Sequence, residues 1–199
     1  MIKKLFLLMF VSTLSFAKAQ ETTVSLLSIA NPITFNETEF FLNQSKQRSK
    51  TLFQEQYIPK DENIENFNQL IDFSFFNKEI EMELAVRQKV EMVQNRREKD
   101  KFSHVNVTES PDGGEYIVDY FISESPANGD SYVEYNIYRF KQSEIGGQKT
   151  FLMISYAKRI YGDLKSAAKS LSKQRDHLMS TMIEYKIPEV KVTKASTGN

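Results

Sequence analysis

No cysteine or tryptophan occurs in these 199 residues, and there are only two histidines, His104 and His177. The absence of cysteine excludes disulfides, thioether lipid anchors and every thiolate metal centre. Two histidines far apart in the chain give no cluster at ligand spacing, so no metal and no cofactor is expected. Catalytic fingerprints are missing as well: there is no G-x-S-x-G, no H-E-x-x-H and no dinucleotide loop. "EIGG" (144–147) lacks the spacing and the Lys-[ST] of a phosphate loop. Neither sign of charge prevails, with 26 basic residues against 26 acidic. That balance offers no electrostatic footprint for nucleic acid or for an anionic membrane surface.

Long apolar runs are also scarce, and the one present lies at the start. Residues 1–19, "MIKKLFLLMFVSTLSFAKA", have Lys3 and Lys4 before a mostly apolar stretch and end on Ala17 and Ala19. This is the pattern of a secretory signal peptide cut between Ala19 and Gln20, and the stretch is too short for the ~20 residues that span a bilayer. Cleavage would leave a net charge of −3 and no stable membrane insertion. A chain of about 180 residues buries a sufficient core without disulfides. The expected location is therefore a Gram-negative periplasm or the medium.

The mature chain reads as one domain over 39–190, with an irregular arm at 20–38 and a flexible tail at 191–199. "EFFLNQS" (39–45), "TLFQEQYI" (51–58) and "IDFSFF" (71–76) carry strand formers, and Pro59 ends the second of them. Asp61 is placed to cap a short helix through "ENIENFNQLI". Met82, Ala85, Val86, Val90 and Val93 make the core stripe of a helix over 79–98. Strands follow at 102–109, 115–122, 131–140 and 150–160, separated by the turn sequences "SPDGG", "SPANGD" and "EIGG". A second apolar stripe, from Leu164 to Met182, predicts a helix over 164–184. The fold class is α+β: one antiparallel sheet of about six to seven strands packed with two long helices.

The segment "EQYIPKDENIENFNQL" resembles a pattern of small exported bacterial proteins of unknown function, roughly E-x-Y-x-P followed by N-[WF]-x-x-[ML]. The matching residues are Glu55, Tyr57, Pro59, Asn66, Phe67 and Leu70. The element order is similar to the α/β/α sandwich of the PsbP-like proteins. That resemblance implies a non-catalytic accessory or binding protein and transfers no functional residue.

Strand alternation supplies the candidate site. Taking the more apolar parity of each strand as inward leaves His104, Asp119, Glu134, Asn136, Tyr138 and Ser155 on the other face. A histidine, carboxylates and a serine are the parts of an acid–base or nucleophilic site, and also the surface of any half-solvated sheet. The function expected is a non-enzymatic exported protein binding a small molecule or an envelope protein partner. The alternative is a hydrolase-like enzyme working around His104, and no residue commits the chain to catalysis.

Overall fold

The computed structural model describes residues 23–193. Its elements run β1 (Ile33–Phe35), β2 (Thr38–Gln47), β3 (Leu52–Ile58), β4 (Gln69–Phe76), α1 (Met82–Gln94), β5 (His104–Glu109), β6 (Glu115–Glu124), β7 (Tyr132–Ile145), β8 (Gln148–Tyr161) and α2 (Leu164–Glu184). All eight strands join one sheet in the order β1-β2-β3-β4-β8-β7-β6-β5. Every neighbouring pair is antiparallel. Two four-stranded meanders, β1–β4 and β5–β8, thus meet along a single β4–β8 seam. Turn chemistry sets the hairpins. Gly146 and Gly147 take φ of +57° and +80° between the long β7 and β8, the left-handed pair that a two-residue turn needs.

The sheet is curled into a half-barrel. In a flat sheet β1 would lie about 19 Å from β8, four strand spacings away. Yet the Phe35 ring of β1 is 4.6 Å from the Tyr156 ring of β8, centroid to centroid. One extra residue in β2, between Leu42 and Gln44, breaks the register and helps bend that end inward.

Both faces of the sheet are covered. On one face Leu171, Leu178 and Met182 of α2 pack on Phe73, Tyr135, Ile137, Ile154 and Tyr156. On the other, Val86 and Val93 of α1 pack on Val118, Tyr120, Phe140 and Phe151. Each such side chain, fully buried, contributes roughly 1.5–3 kcal/mol. Asp163 Oδ1 accepts the Ser166 N–H at 2.9 Å and caps the start of α2. At the other end Arg139 Nη1 donates to the carbonyls of Met182, Ile183 and Tyr185, satisfying acceptors that a helix terminus leaves orphaned.

Several expectations are corrected. The expected six to seven strands packed with two long helices, a PsbP-like sandwich, give way to a mostly-sheet fold of eight strands. Only α2 is long: α1 has 13 residues rather than the span 79–98, and its N-cap residue Glu81 makes no side-chain cap bond. No helix forms after Asp61. Instead the Glu62 carboxylate accepts from the backbone N–H groups of Asn68 and Gln69, and Asn63 Oδ1 from those of Glu65 and Asn66. Side chains that resemble helix caps here hold a loop.

The arm, expected to be irregular, contains β1 and buries Leu27, Ile29, Ile33 and Phe35. The start of the tail is also tied down. Val192 bridges to Leu27, and the Thr193 N–H donates to the Leu26 carbonyl at 2.8 Å. The expected signal peptide, 1–19, and the end of the tail, 194–199, lie outside the described residues. No helix among the described residues is long and apolar enough to cross a membrane.

Candidate functional site

The register divides the six residues that strand alternation had grouped. His104 sits opposite Phe121, and Asp119 opposite Asn106 and Ile137, so both belong to the α2 side. Tyr138 sits opposite Ser155, and with Asn136 and Glu134 these occupy the α1 side. Choosing the more apolar parity strand by strand fails in a sheet covered on both faces, because over the central strands neither parity is solvent-facing, while His104 is exposed on the edge strand β5. His104 and Ser155 are therefore on opposite faces, with β7 and β6 between their strands.

Asp119 is fully buried and its carboxylate is occupied. Arg175 of α2 donates to it through Nε (2.7 Å) and Nη2 (2.9 Å), and the Tyr135 hydroxyl donates at 3.2 Å. Burial, with the Asp119 carboxylate beside it, pushes the Tyr135 hydroxyl far above its ordinary range. This is a helix-to-sheet bolt.

The α1 side holds a continuous polar row. Gln44 of β2, Gln56 of β3, Asp72 of β4, Ser155 of β8 and Tyr138 of β7 are successive cross-strand neighbours. The row starts half-exposed at Gln44 and Gln56 and ends beneath α1, which packs over β5, β6 and β7. Asp72 is only 7% exposed. Its Oδ2 accepts from Gln54 Nε2 at 2.6 Å and its Oδ1 from the Ser74 hydroxyl at 2.8 Å. From α1, Lys89 places its Nζ 3.8 Å from the centre of the Tyr138 ring, and that ring stacks on Tyr120. Lys89 forms no hydrogen bond or ion pair among the described residues.

Burial drives the electrostatics of the row. It raises the Asp72 carboxyl above its usual range, against the hydrogen bonds from Ser74 and Gln54. It lowers the Lys89 ammonium, against the field of Asp72. A carboxyl raised on folding contributes stability below the unfolded value of 3.8, and that contribution is lost as pH rises through the folded value. Asp72→Asn is therefore expected to stabilise at pH 7, within about 1 kcal/mol, because the charged form no longer has to be buried. Urea melts at two pH values check this, since the gain should vanish once pH falls below the ordinary aspartate range.

Glu134 and Asn136 have structural duties at the edge of the row. Glu134 accepts from Arg159 Nε at 2.6 Å and from Asn136 Nδ2 at 2.8 Å. The Arg159 guanidinium lies between the rings of Phe67 (3.8 Å) and Tyr132 (4.4 Å), which fastens the 59–68 loop to the sheet. Sequence reasoning missed Asp72, Lys89 and the glutamines. The one legible signal was a carboxylate inside the apolar run "QLIDFSFF" (69–76). Among the described residues no group of three or more His, Asp or Glu could hold a metal ion.

The E-x-Y-x-P segment is an anchor. Glu55 is fully buried, and its Oε1 accepts from the N–H groups of Leu26 and Leu27 and from the hydroxyls of Ser25 and Ser45. Its Oε2 accepts the Tyr57 hydroxyl at 2.8 Å. Phe67 and Leu70 pack with Ile58 in a small apolar cluster beneath the loop. These residues tie the N-terminal arm and the loop to the sheet.

A protein-family model matches residues 27–187. No curated protein and no solved structure matches the chain.

Proposed function

We propose, starting from the fact that the chain belongs to the uncharacterised family matched over residues 27–187, that it is an exported, non-enzymatic protein binding a small polar molecule on the α1 side of its sheet. The observation that carries this reading is Lys89. Its side chain is half-buried and its ammonium has three N–H donors, yet among the described residues it meets the Tyr138 ring and no hydrogen-bond acceptor. A half-buried ammonium without an acceptor is a place for a ligand oxygen, from a carboxylate, a phosphate or a sugar hydroxyl. The Gln44–Gln56–Asp72–Ser155 row supplies donors and acceptors beside it. Export rests on the leader pattern of residues 1–19.

His104 and Ser155 lie on opposite faces of the sheet, which favours this reading over a hydrolase built around His104. A relationship to PsbP-like proteins has only element order in its favour, and the curled eight-stranded sheet departs from what it implied.

The test is a thermal-shift screen of amino acids, sugar acids and sugar phosphates, beside native mass spectrometry of protein recovered from the periplasm. A ligand at a hundred times its Kd adds about 2.7 kcal/mol, which moves the midpoint of a domain this size by roughly 5–10 °C. Lys89→Met should abolish that shift, while Lys165→Met, at the exposed start of α2, should keep it. If every ligand that shifts the wild type shifts Lys89→Met as fully, this site is ruled out.

A further inference from the structure

A concave region lies at the C-terminal end of α1, away from the Gln44–Tyr138 row. The turn over residues 95–102, the end of β6 with Ser125 just after it, and the first residue of α2, Leu164, line a cleft of about 720 Å³. Its charges do not balance. Of the acids lining it, Asp100 is buried and accepts from the Phe102 N–H, the Ser123 N–H and the Ser123 hydroxyl. Glu124 takes Arg96 Nη2 at 2.7 Å. That leaves Glu98 to face Arg97, Lys99 and Lys101, three exposed cations with no carboxylate within ion-pair distance among the described residues. Arg96 Nε is buried in the wall without a hydrogen-bond partner among the described residues.

Leu164 opens α2, and the N-cap carboxylate before it offsets the positive end of that helix, so the cations of the 95–102 turn carry the field. Asp163, the N-cap, already holds the Ser166 N–H. Phe102, half-buried, and Leu164 give the cleft an apolar wall between the charges.

We infer that this cleft binds an organic oxyanion, a phosphate ester or polycarboxylate whose charged end meets Arg97, Lys99 and Lys101 while its apolar body lies on Phe102 and Leu164. Three like charges within five residues repel one another, and a multiply charged anion relieves that repulsion. The site shares no residue with the Lys89 row, so the two stand or fall separately.

The experiment follows backbone amide shifts of the full domain during titration with phenyl phosphate, inorganic phosphate and citrate at low salt. Phenyl phosphate should saturate and move amides of 95–102, 123–125 and 164–165, at least tenfold more tightly than inorganic phosphate. Citrate binding more tightly than phenyl phosphate would assign the site to polycarboxylates, equal binding to both classes, and weaker citrate binding to phosphate esters. The triple variant Arg97→Gln, Lys99→Gln, Lys101→Gln alters only exposed side chains and should melt like the wild type while binding at least tenfold more weakly. Lys89→Met should bind phenyl phosphate unchanged. Equal affinity for phenyl phosphate and inorganic phosphate, shifts spread over lysines elsewhere, or undiminished binding by the triple variant would each overturn the assignment.

Discussion

Replacing Glu55 with alanine is expected to lower the unfolding free energy by about 3–5 kcal/mol, because a buried hydrogen-bond network loses the acceptor at its centre. Five donors converge on that carboxylate, and two of them are backbone N–H groups of the arm. Left buried without an acceptor, each donor costs about 1–3 kcal/mol. The arm escapes part of that penalty by peeling away to water, and Leu27 and Ile29 then leave the core with it. Glu55→Gln keeps one acceptor oxygen but turns an amide toward the Tyr57 hydroxyl, so it should fall between wild type and alanine. A urea melt gives the energies, and hydrogen exchange at Leu26 and Leu27 reports whether the arm detaches. Protected amides together with a loss under 1 kcal/mol would show that the bridge to Val192 holds the arm unaided.

Tyr156→Ala is expected to cost a similar amount, about 3–5 kcal/mol, as for other large aromatic residues removed from a core. Tyr156 is fully buried where the curl closes, with Phe35 and Phe40 against its ring. Its hydroxyl donates to Gln69 Oε1 at 2.7 Å, and burial pushes that hydroxyl well above its ordinary range. Tyr156→Phe separates the two contributions, losing only the hydrogen bond, worth about 1 kcal/mol. Chemical melts of both variants decide the matter. A phenylalanine variant as unstable as the alanine variant would place the effect in the hydroxyl and not in the packing that closes the curl.

What the sequence disclosed follows the strength of its local signals. α2 was legible to the residue because a long apolar stripe, an Asp cap and a preceding glycine all agree at Gly162–Leu164. Strands β6 to β8 were legible because glycine and asparagine mark their turns. β1 was not, since three residues carry no usable alternation, and its turn runs through Asn36 and Glu37, neither of them glycine. The false helix after Asp61 arose because acids and asparagines accept backbone N–H groups in loops as readily as at helix starts.

The candidate site was half legible for a related reason. Alternation reports which residues share a strand face, but only pairing reports which faces join. Val118 and Tyr138 lie on one face because they are cross-strand neighbours, and no property of either strand alone reveals it. Lys89 is not one of the apolar residues that mark its helix, and nothing in the sequence shows that it meets a tyrosine ring.

The β4–β8 seam has a consequence for how the chain reaches this state. Each meander is built from hairpins whose partners are close in sequence, so each can form early from local contacts. The eight residue pairs from Gln69↔Lys158 to Phe76↔Phe151 are different, since they join segments separated by α1 and three strands. Closing that long loop is an entropic step that no turn assists. Until it is taken, β4 and β8 are both unpaired edges, each matched to the other by register and apolar side chains. Two chains caught at that stage can satisfy the same pairs between them, by exchanging halves across the α1 linker. The join that makes one sheet from two meanders is thus also the place where crowding and slow refolding would divert the molecule into swapped dimers.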